Sequence, residues 1–189
     1  MEDTLQSTLI DLAALLDRLG IPYAITGSVV SAVHGDPVTS LNVDVLVQAT
    51  PAQAGAVADA LPAYFYRDRE MLQMEAGRFG IANVVDLRSG LKVDISFVPT
   101  NGYLDDAMQR SVLARIGSAG PAFRLTSAED VVLMKLLWRK DSRSQKQWEN
   151  ALSVMRVCGT KLDWRYLFDH AGQLGVADDL IALRDAGGV

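Results

Sequence analysis

The chain has 189 residues, 49% of them hydrophobic and 22% charged, with a formal net charge of −5. That composition is globular rather than disordered, and the length suits one well-cored domain or a domain with a small helical appendage. No apolar stretch reaches the roughly 18 residues that cross a bilayer, so no membrane partner is expected. The acidic start Met1-Glu2-Asp3-Thr4 lacks the basic region of a signal peptide. A single cysteine, Cys158, rules out an intramolecular disulfide, is read as a buried apolar residue, and fits the reducing cytoplasm. Negative net charge argues against tight nonspecific binding of nucleic acid by the whole surface and leaves a local basic patch open.

In chain order, Leu5, Leu9, Leu12, Ala13, Leu16 and Leu19 recur at helical spacing, and Gly20 is placed to end that helix. A short strand follows at Tyr23-Ala24-Ile25, then Gly27-Ser28, then small and apolar residues that suit a helix packed on a sheet. Gly35-Asp36-Pro37 reads as a turn. Residues 42–48 are a strand, and Pro51 opens a helix that alanines carry to Leu61. Residues 81–87 and 91–98 form a hairpin around the turn Arg88-Ser89-Gly90. Thr126-Ser127-Ala128-Glu129 fits a capping box with Thr126 as the cap. The helix it starts spans 131–138, and further helices cover 146–157, 163–174 and 177–184. The composition shift near residue 126 divides the chain into an α/β part, 1–125, and a helical part, 126–189.

Two strand aspartates carry the chemistry. Asp44 lies in Asn42-Val43-Asp44-Val45-Leu46-Val47, and Asp94 in Leu91-Lys92-Val93-Asp94-Ile95-Ser96-Phe97-Val98. A carboxylate in such a strand needs a partner or a metal ion to offset its desolvation. Two of them aimed at one spot from neighbouring strands would hold a divalent cation. The bland alternatives are an edge-strand charge for Asp44 and a pairing with Lys92 or another cation for Asp94. Residues two apart share a strand face, so Asn42 stands beside Asp44 where a third carboxylate would be expected. Gly27-Ser28, between strand and helix, is either a phosphate-binding turn or simply a tight turn with a capping serine. Lys135 sits in a helix apolar on all sides; it either snorkels to water or contacts a triphosphate. Arg139, Lys140, Arg143 and Lys146 form a basic run, either a solvated face or a contact for nucleic-acid phosphates. His34 and His170 lack the spacing of a zinc site or a catalytic triad and are read as structural, and no Walker-type loop occurs.

Strand, Gly-Ser, helix, a strand with the Asp-x-Asp position, and a later strand with one more Asp: this order resembles the nucleotidyltransferase fold of the DNA polymerase β superfamily. The resemblance extends through Tyr23-Ala24-Ile25-Thr26-Gly27-Ser28, Asn83-Val84-Val85-Asp86, Gly90-Leu91-Lys92-Val93-Asp94, Ser127-Ala128-Glu129-Asp130 with Lys135, Gln147-Trp148, and Leu162-Asp163-Trp164-Arg165-Tyr166-Leu167. Together these look like the bacterial AbiEii-like nucleotidyltransferases, some of them toxins of toxin–antitoxin pairs. The resemblance implies a mixed α/β sheet flanked by helices with a C-terminal helical bundle. It implies an NTP as substrate with Mg²⁺ or Mn²⁺, and transfer of a nucleoside monophosphate to a hydroxyl of RNA such as a tRNA end, of a protein, or of a small molecule. Gly27 and Ser28 would then hold nucleotide phosphate, Asp44 and Asp94 the metal, and Lys135 the phosphates. Asn42 departs from the family at the first catalytic carboxylate, and Val38-Thr39-Ser40 replaces an expected arginine. Those departures keep a second function open: an inactive nucleotide-binding module, or one half of a complex with a cognate antitoxin.

Overall fold

A computed structural model describes residues 2–36, 42–117 and 120–189. The expected turn at Pro37 and the Val38-Thr39-Ser40 segment lie outside the described residues. Helix α1 (Glu2–Arg18) leads into strand β1 (Tyr23–Thr26) and helix α2 (Gly27–His34). Strand β2 (Asn42–Val47), helix α3 (Pro51–Ala60), strand β3 (Phe65–Arg67) and helix α4 (Arg69–Arg78) follow. The hairpin β4 (Ile81–Asp86) and β5 (Leu91–Phe97) comes next, then α5 (Tyr103–Gln109), β6 (Val112–Arg115) and β7 (Ala122–Leu125). The chain closes with α6 (Ala128–Ser142), α7 (Gln145–Cys158), α8 (Trp164–Leu174) and α9 (Ala177–Gly187). No helix of the described residues is long and apolar enough to cross a membrane.

The strands form one mixed sheet in the order β3-β4-β5-β2-β1-β7-β6. β1 runs antiparallel to β2, β2 parallel to β5, and β7 parallel to β1. Side-chain alternation sorts the central strands into two faces. Tyr23, Ile25, Val43, Val45, Val47, Leu91, Val93, Ile95 and Phe97 enter the main apolar core. The other face carries a smaller apolar cluster, in which Ala24 and Leu46 meet Val98, Ala107, Met108 and Met134. That second face also carries Thr26, Asn42, Asp44, Lys92 and Asp94, because each lies an even step from Ala24, Leu46 or Ser96. The main core is continuous across residue 126, taking in Leu9 and Leu16 as well as Leu133, Leu167 and Leu183.

Every element expected from the sequence is present within about three residues of its expected ends, apart from α6, which is longer. Five more lie where no element was assigned: β3, α4, α5, β6 and β7. The strands among these have three or four residues, too few to establish a period. α4 reads Arg-Glu-Met-Leu-Gln-Met-Glu-Ala-Gly-Arg and is started by Asp68, whose side chain accepts from the Met71 N–H at 2.9 Å.

The start of α6 corrects one expectation. Thr126 does not cap it: its N–H donates to the Ile25 carbonyl at 2.9 Å, prolonging the β1–β7 ladder, and its hydroxyl donates to Thr26 Oγ1 at 3.1 Å. Ser127 takes the cap, accepting from the Asp130 N–H at 3.2 Å. Glu129, expected to close the capping box, instead accepts from the Asp163 N–H at 2.9 Å. α6 also runs well past the expected 131–138, ending at Ser142 with Arg143 in the left-handed region at φ 51°.

Candidate active site

Asp44 and Asp94 are exact partners across the parallel β2–β5 pair, and one rung away Asn42 pairs with Lys92. Thr26 of β1 stands opposite Asp44, and Asn83 of β4 opposite Asp94. The two carboxylates therefore point to one face from adjacent strands. Asp44 and Asp94 are half-buried and Asn42 is exposed, so the block opens toward water at the Asn42 end.

The Gly27-Ser28 turn abuts Asp44. Gly27 adopts φ +75°, and a Cβ built on it would fall 1.9 Å from Asp44 Oδ2. Both the conformation and the space demand glycine. Thr26 caps α2 without a side-chain hydrogen bond, and the Ser28 N–H lies near the Asp44 carboxylate and favours its charged form.

Burial raises the Asp44 pKa above the ordinary carboxylate range; Lys135 opposes that rise, the neighbouring Asp94 carboxylate adds to it, and Lys92 and the Ser28 N–H oppose it. The net direction shows that the cations near Asp44 do not fully offset the desolvation of its carboxylate. Lys92 Nζ lies 3.0 Å from Asp94 Oδ2, so the sequence's bland alternative, a Lys92–Asp94 pair, is present. Lys135 is 2% exposed and does not snorkel. Burial lowers its pKa to about 8, against the attraction of Asp44. Its ammonium lies 5.3 Å from the centre of the Trp138 ring. Thr26 ties α6 to this face by donating to Met134 Sδ at 3.3 Å.

The basic run divides. Arg139 pairs with Asp179 at 2.9 Å and lies over the Trp148 ring, and Lys140 donates to the Leu174 carbonyl at 3.1 Å. Arg143 and Lys146 are exposed. The histidines have structural surroundings: His34 Nε2 donates to the Thr126 carbonyl at 3.1 Å, and His170 packs against Tyr103 and Tyr166. Cys158 is half-buried rather than buried, its thiol donating to the His34 carbonyl at 3.1 Å.

No group of three or more His, Cys, Asp or Glu side chains among the described residues could hold a metal ion. The donor set here is two carboxylates in register, with the Asn42 amide on the next rung. Hard oxygen donors of this kind suit one Mg²⁺ or Mn²⁺. They supply less anionic charge than three carboxylates would. Lys92, the cation within reach of Asp94, is the residue whose role the sequence left undecided. Its alternation with Asp94 already placed both on one face, and the pairing became visible only with the structure.

No protein-family model matches the chain, and no curated protein matches it. Solved structures do. An antigenic nucleotidyltransferase-like protein from Paracoccidioides brasiliensis superposes with a TM-score of 0.62 at 17% identity, covering 97% of this chain and 93% of that one. The antibiotic-resistance factor ANT(2'')-Ia superposes with a TM-score of 0.59 at 16% identity, covering 98% and 95%. A CCA-adding enzyme in complex with ATP is matched more loosely, with a TM-score of 0.40 at 12% identity, over 92% of this chain and 52% of that one. The mixed seven-stranded sheet flanked by helices is thus a nucleotidyltransferase-like fold.

Proposed function

We propose that this chain binds a nucleoside triphosphate against the Asp44–Asp94 face and transfers its nucleoside monophosphate to a hydroxyl, with release of pyrophosphate. The observation that carries the reading is the in-register carboxylate pair set against the Gly27-Ser28 turn. Likeness of fold to nucleotidyltransferase-like structures over nearly the whole chain supports it.

In this reading Asp44 and Asp94 hold Mg²⁺ or Mn²⁺. When bound, such an ion neutralises phosphate oxygens and lowers the pKa of the attacking hydroxyl. The protein's own contribution is positional. Gly27 leaves the space that Asp44 Oδ2 fills, and the nearby Ser28 N–H favours that carboxylate's charged form. The turn offers the remaining phosphate-binding surface. Lys135, held in an apolar helix beside Asp44, supplies fixed positive charge toward the phosphates, where low polarity strengthens the attraction. Asn42 offers a neutral carbonyl oxygen in place of a carboxylate, so transfer is slow. The α/β part, 1–125, and the helical part, 126–189, contribute opposite walls of the nucleotide cleft. The acceptor is a hydroxyl of RNA such as a tRNA end, of a protein, or of a small molecule. The finer assignment, an AbiEii-like protein with a cognate antitoxin, rests on the sequence motifs.

One observation favours a second reading. Asn42 and the Lys92–Asp94 ion pair both reduce the negative charge available to a metal. A nucleotide-binding or toxin–antitoxin interaction module without chemistry would have the same surface.

Incubation with each α-labelled NTP, Mg²⁺ or Mn²⁺ and a cell lysate separates the readings. Transfer of label to RNA, protein or a small molecule, lost in Asp44→Asn, is expected. Nucleotide binding without transfer selects the nucleotide-binding module, and failure to bind any NTP overturns transfer and nucleotide binding together, leaving only the interaction module.

A further inference from the structure

We infer that Lys92 is a built-in counter-ion of Asp94 that competes with a divalent cation for the carboxylate pair, so that cation binding at this face is a displacement of the lysine. The inference rests on the proposed metal-binding role of Asp44 and Asp94 and deepens it.

Three observations carry it. First, the Lys92 ammonium is 3.0 Å from Asp94 Oδ2, so it already neutralises one of the two carboxylates a cation at this face would use. Second, the register fixes the neighbours. Lys92 faces Asn42 on β2 and Val85 on β4, while Asp94 faces Asp44 and Asn83. Among these described strand residues Lys92 is the cation, with Lys135 acting on Asp44 from α6, and its rung is the one where a neutral amide stands in place of an acid. Both residues on the rung shift the charge in the same direction. Third, the lysine has a way out: its side chain is 39% exposed, against 20% for Asp94. The four-carbon stem can swing the ammonium into water without disturbing the strand.

A dication placed between the carboxylates meets this ammonium as a like charge at close range, and the cost falls as the lysine leaves. Metal and lysine are therefore alternative partners of one carboxylate. A bound triphosphate provides anionic oxygens for the displaced ammonium, so nucleotide and metal should bind with positive coupling. Lys92 thus acts as a positioning and specificity residue, setting how much divalent cation the site takes up before nucleotide arrives.

The test is Mn²⁺ binding to the full chain without nucleotide, followed by calorimetry and by the spin-resonance signal of free Mn²⁺ at low salt. Lys92→Met and Lys92→Gln should bind Mn²⁺ about tenfold more tightly than the native chain, a gain of about 1.4 kcal/mol. Lys92→Arg, which keeps the charge, should stay at the native affinity. Lys92→Met combined with Asp94→Asn should lose the gain, which assigns it to that carboxylate. Equal, measurable affinity in the native chain and both neutral variants overturns the inference while leaving the two-carboxylate metal site standing. No Mn²⁺ uptake by any variant, with or without NTP, overturns the inference together with the metal site on which it rests.

Discussion

Gly27 meets two demands that exclude any other residue. Its φ of +75° is costly for a residue with a Cβ, and that Cβ would fall 1.9 Å from Asp44 Oδ2. Gly27→Ala should therefore cost about 1 to 3 kcal/mol of stability, measurable by denaturant unfolding, and should push Asp44 away from the Ser28 N–H. Asn42 makes the opposite prediction, a gain. Asn42→Asp sets a new carboxylate beside Asp44 and opposite Lys92. Metal affinity in the presence of NTP should rise, and transfer should increase about tenfold, which asks for about 1.4 kcal/mol of transition-state stabilisation. Adding Asp44→Asn should abolish that gain. If Asn42→Asp instead destabilises the protein and neither metal nor NTP restores it, the rung has no room for a third ligand, and the binding-module reading stands.

At the scale of elements, α1 is fastened to the β4–β5 turn by a charged cluster. Asp86 is fully buried, accepts from Thr8 Oγ1 at 2.7 Å, and pairs with Arg88. Arg88 also reaches Asp11 at 2.8 Å and lies over the Tyr64 ring. The Arg88 hydrogen bonds, more than the opposing burial, hold the Asp86 carboxyl below its ordinary pKa. A depressed native pKa means that this contribution is complete above the unfolded-state value of about 4 and is lost as the pH falls through the native value below it. Asp86→Asn should cost about 1 to 2 kcal/mol at pH 7, tempered by the partial exposure of Arg88. The difference from the native chain should shrink in acid. A deficit independent of pH would show that the cluster acts through packing. A second junction joins α5, α6 and α8 at Asp130, which accepts from Ser127 Oγ at 2.8 Å and from the Tyr166 hydroxyl at 2.7 Å. The Tyr103 hydroxyl donates to its backbone carbonyl at 3.2 Å.

For the whole molecule, one apolar core runs from α1 through the sheet to α9, so a ligand at the second face should report on global stability. NTP with Mg²⁺ at 100 times its Kd would add about 2.7 kcal/mol, seen as a raised Tm. Lys135→Ala should fold and lose most of that shift, since its ammonium is buried and its charge acts on Asp44. An undiminished shift would make Lys135 a packing residue only.

Local pattern was enough to identify the strands of Asp44 and Asp94, the glycine turn before α2 and the C-terminal helices, because alternation, helical spacing and turn chemistry act over a few residues. It also placed Asn42 beside Asp44 and Lys92 beside Asp94, since strand residues two apart share a face whatever the fold. Pairing between distant strands was out of its reach. Nothing local brings β5 beside β2 in the register that sets Asp44 against Asp94, or inserts β7 beside β1 so that Thr126 is spent on the ladder and Ser127 becomes the cap. The choice between a snorkelling and a buried Lys135, and between a free and a lysine-paired Asp94, rested on those same long-range contacts. Chain order and residue type set which groups can meet, and desolvation and register on folding select the ones that do.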